Sequence, residues 1–98
     1  MKINQSKAGS ELTIGLEGRL DTSTAPELDE ALKSALEGVT KLSFDLEKLE
    51  YISSAGLRVL LTAQKTMNKQ GSMVVKNVSE DVKEIFEVTG FTDILSIE

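Results

Sequence analysis

The 98-residue sequence contains no cysteine and no histidine, and a single proline, Pro26. Without cysteine there can be no disulfide, no thiolate nucleophile and no thiolate metal site. Without histidine the commonest general base and the commonest transition-metal ligand are missing. Basic residues are the minority, 11 Lys+Arg against 16 Asp+Glu, for a net charge of −5. Nucleic acid and anionic membranes are held through Lys and Arg, so neither is an expected partner. No apolar run approaches the ~20 residues that span a bilayer. The opening Met1-Lys2-Ile3-Asn4-Gln5 lacks the apolar stretch of a signal peptide. The expectation is a soluble, cytoplasmic chain forming one domain over residues 1–98.

What is present is a succession of short periodic segments. Lys2 to Lys7 is a weak strand candidate, with Ile3 its main apolar residue. Ala8-Gly9-Ser10 reads as a turn. Leu12, Ile14 and Leu16 then alternate with polar or small residues, the period of a half-buried strand, which Gly18 should end. Thr24 stands three residues before Glu27, the spacing of a capping box, and Pro26 suits a first helical turn. Leu28, Leu32, Ala35 and Leu36 share a helical face, and Gly38 is a natural stop.

Leu42, Phe44 and Leu46 predict a second alternating strand from about Thr40 to Leu46, followed by a polar link over Glu47–Tyr51. The next helix carries Leu57, Leu60, Leu61, Gln64 and Met67 on one face and ends at Gly71. Met73-Val74-Val75 follows as a short apolar strand, which the intervening helix should make parallel to its predecessor. A third helix starts at Ser79, with Val82, Ile85 and Phe86 inward, and closes at Gly90. Ile94, Leu95 and Ile97 form a last strand or a packed tail. The order β-β-α-β-α-β-α-β implies an α/β fold: a mixed β-sheet with amphipathic helices packed on one face.

One stretch stands out, Tyr51-Ile52-Ser53-Ser54-Ala55-Gly56-Leu57. Two serines sit where a helix begins, so a hydroxyl meets the positive end of the helix dipole and its unpaired N–H groups. A phosphate there would be favoured by about 0.3–1 kcal/mol if exposed. Serine at a helix start is ordinarily only a cap. Gly56 within the first turn is unusual for a plain cap, and suggests a tight turn or the close approach of another backbone. The loop Gly18-Arg19-Leu20-Asp21-Thr22-Ser23-Thr24 should lie near this turn, so that Asp21, Thr22 and Ser23 border the same patch. Its plainer reading is a strand end and a solvated cap. No paired carboxylates, glycine-rich phosphate loop, Asp-x-Asp metal pattern or serine–histidine couple is present. Neither catalysis, a metal nor a cofactor is expected.

In combination these segments resemble the STAS domain family. Gly18-Arg19-Leu20-Asp21 is similar to its Gly-x-Leu/Ile-Asp element, and Leu42-Ser43-Phe44-Asp45-Leu46 to its central strand. Ile52-Ser53-Ser54-Ala55-Gly56-Leu57 is similar to its hydrophobic-Asp-Ser-Ser/Thr-Gly-Leu turn. Met73-Val74-Val75 and Val88-Thr89-Gly90-Phe91 match later elements. The chain departs at Ser53, where the family usually has an acidic residue, and at Ala55, where it has a hydroxyl.

The resemblance implies an anti-sigma factor antagonist that works by partner switching. Unphosphorylated, it would bind an anti-sigma factor that is also a serine kinase. Phosphorylation at Ser54, with Ser53 an alternative acceptor, would end that binding, and a serine phosphatase would restore it. The partner-binding surface would comprise Asp21, Thr22, Ser23, Ser53, Ser54, Ala55, Gly56 and Arg58. Two other readings stay open: a STAS scaffold or subunit of a sensor or lipid-transport complex, and a binder of small anions at the helix end.

Overall fold

The computed structural model describes residues 1–98. A hairpin joins β1 (Lys2–Ala8) to β2 (Glu11–Leu20), antiparallel and in register from Lys2↔Glu17 to Ala8↔Glu11. Its turn uses Gly9 at φ 63°. α1 (Ala25–Ala35) leads to β3 (Lys41–Ile52), parallel to β2. α2 (Ser54–Gln70) leads to β4 (Ser72–Lys76), parallel to β3. The sheet order is β1-β2-β3-β4. α3 (Glu80–Thr89) and a 3₁₀ turn (Phe91–Asp93) follow, and the tail returns to β4 through a single parallel bridge, Val75↔Ile97.

The alternation of side chains explains the layering. Leu12, Ile14 and Leu16 of β2, Leu42, Phe44 and Leu46 of β3, and Met73 and Val75 of β4 all point to one face and are buried. They meet Leu28 and Leu32 of α1, Leu57, Leu60 and Met67 of α2, and Val82 and Phe86 of α3 in one contiguous core. The opposite face of the sheet stays open, lined by polar and small residues such as Asn4, Thr13 and Asp45. β1 reads weakly in the sequence because it is an edge strand with little but Ile3 partly buried.

Four expectations are corrected. β3 does not stop at Leu46 but continues to Ile52, because β2 continues beside it to the pair Leu20↔Ile52. The parallel register shifts between Gly15 and Glu17 and again between Gly18 and Arg19. Those irregularities change the buried spacing of β3 to Leu46, Leu49, Ile52, which hides the strand from a period-two reading. Gly18, at φ 97°, therefore lies within β2 and does not end it. Thr24 makes no capping bond to α1. Val74 and Leu61 are only partly buried.

Candidate functional site

The end of the molecule where β2 and β3 finish is held by one backbone bond. Ser53 N–H donates to Leu20 C=O at 2.8 Å, tying the start of α2 to the end of β2. Ser53 is extended (φ −94°, ψ 174°) and its hydroxyl accepts from Gly56 N–H at 3.3 Å, while its carbonyl accepts from Leu57 N–H at 2.9 Å. Ser53 is thus the N-cap, and its side chain is occupied. Ser54 is the first helical residue and exposed. Its hydroxyl joins none of the hydrogen bonds that build this end of the chain.

The facing loop is shaped by Asp21. Its Oδ1 accepts from Ser23 Oγ–H (2.8 Å), Ser23 N–H (3.0 Å) and Thr24 N–H (3.2 Å). Thr24 Oγ1 accepts from Asp21 N–H at 2.8 Å and donates to Arg19 C=O at 2.8 Å, which is where the expected cap hydroxyl goes instead. The Ser23 hydroxyl is the main cause that holds the Asp21 carboxyl below its ordinary 3.8. Partial desolvation works against it, and the backbone N–H groups of Thr24 and Ser23 add to the lowering. The Arg19 guanidinium, 3.9 Å away and largely in solvent, contributes little by comparison.

A carboxyl lowered on folding adds stability above its unfolded value and loses it as pH falls through the lower folded one. Asp21→Asn should therefore melt below the wild type at neutral pH, and the gap should narrow as pH falls below the ordinary 3.8. Thermal melts across that range check this, and a gap independent of pH would contradict it.

Thr22 and Arg58 are exposed and Ala55 partly so, and together with Pro26 and Thr62 they line a shallow groove between the starts of α1 and α2. The structure thus brings the Asp21–Ser23 loop and the Ser53–Arg58 segment to one surface. Gly56 is the exception and a correction. It is buried, and a Cβ there would stand 2.6 Å from Leu20 Cγ and 2.9 Å from Ile52 Cγ1. Its smallness lets α2 sit down on the ends of β2 and β3, so its role is packing beneath the surface and not contact with a partner. No group of three or more Asp or Glu side chains is arranged to hold a metal ion.

Sequence reasoning missed Arg19 and Tyr51. They are paired across β2 and β3, and the guanidinium carbon lies 4.4 Å from the ring centroid. The one available signal was the sole tyrosine placed three residues before Ser54.

The family model described as "Mlab, STAS domain" matches residues 3–96. The chain belongs to the STAS domain family. This STAS domain is 34% identical over 99 residues to BtrV of Bordetella bronchiseptica, covering 99% of this chain and 85% of that protein. It is 33% identical over 98 residues to the anti-sigma-B factor antagonist of Bacillus subtilis, covering 99% and 90%. Among solved structures it is similar to that of the Bacillus cell fate determinant SpoIIAA in the phosphorylated form. There the TM-score is 0.77 at 18% identity, with 99% of this chain and 91% of the other covered. That likeness is one of fold, and the four-stranded sheet and three helices of this STAS domain match it. No helix is long and apolar enough to cross a membrane.

Proposed function

We propose that this chain is an anti-sigma factor antagonist whose grip on an anti-sigma factor/serine kinase is switched by phosphorylation of Ser54. The observation that carries the proposal is the division of labour between two adjacent serines. The Ser53 hydroxyl is committed to capping α2, whereas the Ser54 hydroxyl is exposed and uncommitted. Two relatives at about one-third identity support its coarser part: the names of both include anti-sigma factor antagonism, and both align over nearly the whole chain.

The chemistry asked of the chain is small. Ser54 Oγ attacks the γ-phosphorus of ATP on the kinase, the bond to the β-phosphate oxygen breaks, ADP leaves and the serine proton passes to a base of the kinase. The chain supplies an accessible acceptor on a rigid helix end and no catalytic group. The added group carries about −1.5 to −2 charges. In an interface closed around a neutral hydroxyl, such a charge is buried without a partner, at a cost of several kcal/mol. A serine phosphatase in the cytoplasm resets the switch.

Incubation with ATP and the anti-sigma factor kinase of its own host should add the mass of one phosphate. Peptide mapping should put it on Ser54. Ser54→Ala should take none, and Ser53→Ala should still take one. Phosphate on Ser53, or no mass change, would overturn the proposal.

A further inference from the structure

The chain has nine lysines but only two arginines, Arg19 and Arg58, and one tyrosine, Tyr51. All three lie at the end of the molecule that carries Ser54. Arg58 is one turn into α2 and lines the groove with Thr22 and Ala55. Arg19 and Tyr51 stand at the ends of β2 and β3, one residue before the buried pair Leu20↔Ile52, so their side chains lie on the open side of the sheet. The two arginines thus flank the serine turn from opposite sides of the sheet.

Arg19 is held but not used up. One face of its guanidinium rests on the Tyr51 ring at 4.4 Å, and its backbone carbonyl is fixed by Thr24 Oγ1–H at 2.8 Å. Its contact with Asp21 is long, Nε to Oδ2 at 3.9 Å, and the side chain is 60% exposed. Asp21 already has three donors on Oδ1, so it does not depend on Arg19 to be satisfied. An exposed ion pair of this length does little for folding. Together with the ring it restrains a planar fork of donors on a side chain that stays 60% exposed, which lowers the entropy lost when a carboxylate docks. Arginine and tyrosine are also the residue types that dominate binding energy at protein interfaces.

We infer that Arg19, laid on Tyr51, is a specificity-determining contact that takes a carboxylate of the anti-sigma factor, extending the partner-binding face around the sheet end; this rests on the antagonist reading above. The contact is charged and lies at the rim, so it acts on association rate and salt dependence as well as on affinity.

The test is calorimetric and kinetic titration of the host kinase that wild-type protein binds, using Arg19→Ala, Arg19→Glu, Tyr51→Phe and Ser54→Asp. Arg19→Ala should weaken binding about tenfold and flatten the salt dependence of the association rate. Arg19→Glu should weaken it about 100-fold, because it sets two like charges together. Tyr51→Phe keeps the ring and should stay within about threefold. An acidic residue of the kinase changed to arginine should recover much of the Arg19→Glu loss. The Arg19 variants should melt close to wild type, so a loss of binding is not a loss of fold. Arg19→Glu binding within about threefold of wild type would overturn the inference. If Arg19→Glu binds normally while Ser54→Asp does not, only this inference falls; if Ser54→Asp also binds normally, the antagonist reading itself falls.

Discussion

Gly71→Ala is expected to lower the melting temperature by about 15 °C, the equivalent of about 3 kcal/mol for a domain of this size. Gly71 closes α2, with its N–H donating to Met67 C=O at 2.7 Å, and turns the chain straight into β4. A Cβ at that position would lie 1.8 Å from Thr40 O and 2.6 Å from Thr40 C. The obstacle is backbone, and it cannot rotate away as a side chain could. The same carbonyl accepts from Ser72 N–H at 3.0 Å, and Thr40 N–H donates to Ser10 C=O at 2.9 Å, so relief by displacement would loosen the starts of β4 and β3 together. Gly38→Ala is the control. It meets nothing within 4 Å, and its only penalty is the left-handed φ of 76°. That variant should lose about 1 kcal/mol. Calorimetric melts of the two variants check the pair of expectations, and Gly71→Ala melting as high as Gly38→Ala would contradict the steric account.

Ser54→Asp is expected to weaken binding to the anti-sigma factor kinase at least about 100-fold while leaving the fold intact. A carboxylate in the first turn of α2 is favourable for the helix, by about 0.3–1 kcal/mol, so the melting temperature should hold or rise slightly. The cost appears only when a partner covers that position and removes water from the charge. Ser54→Ala removes a hydroxyl that has no partner within the chain and should bind within about threefold of wild type. Opposite signs for stability and binding in one variant separate a surface role for Ser54 from a structural one. A comparable loss in both variants would mean that the hydroxyl itself, and not the absence of charge, is what the partner needs.

Much of the architecture was legible because each local signal agreed with the tertiary arrangement. Leu12-Ile14-Leu16 and Leu42-Phe44-Leu46 alternate because one sheet face is buried and the other is open. Ser79 and Gly90 frame α3 as cap and left-handed stop, with Ser79 Oγ accepting from Val82 N–H at 3.3 Å. The second half of β3 was not legible. Its buried residues, Leu49 and Ile52, fall three apart where the register with β2 shifts, and no single-strand periodicity encodes a neighbour's irregularity.

At the site, the family resemblance put Ser54 first as acceptor and Ser53 second, but the pattern did not say what each hydroxyl does in the fold. Which hydroxyl turns back to Gly56 N–H is a matter of the backbone at Ser53, extended at ψ 174°. Gly56 suggested an approach surface, yet its space is filled by Leu20 and Ile52, residues 36 and four positions away in the chain. Thr24 had the right spacing for a capping box, but Asp21 and Arg19 compete for its hydroxyl more effectively than the helix does. The Arg19–Tyr51 contact joins two strands through a shifted register, and it became visible only once that register was known.

The most direct test is titration of the host kinase with protein carrying phosphoserine at position 54 and with the same protein after phosphatase treatment. The predicted result is no measurable binding by the first and full binding by the second. Equal affinity of the two forms would contradict it.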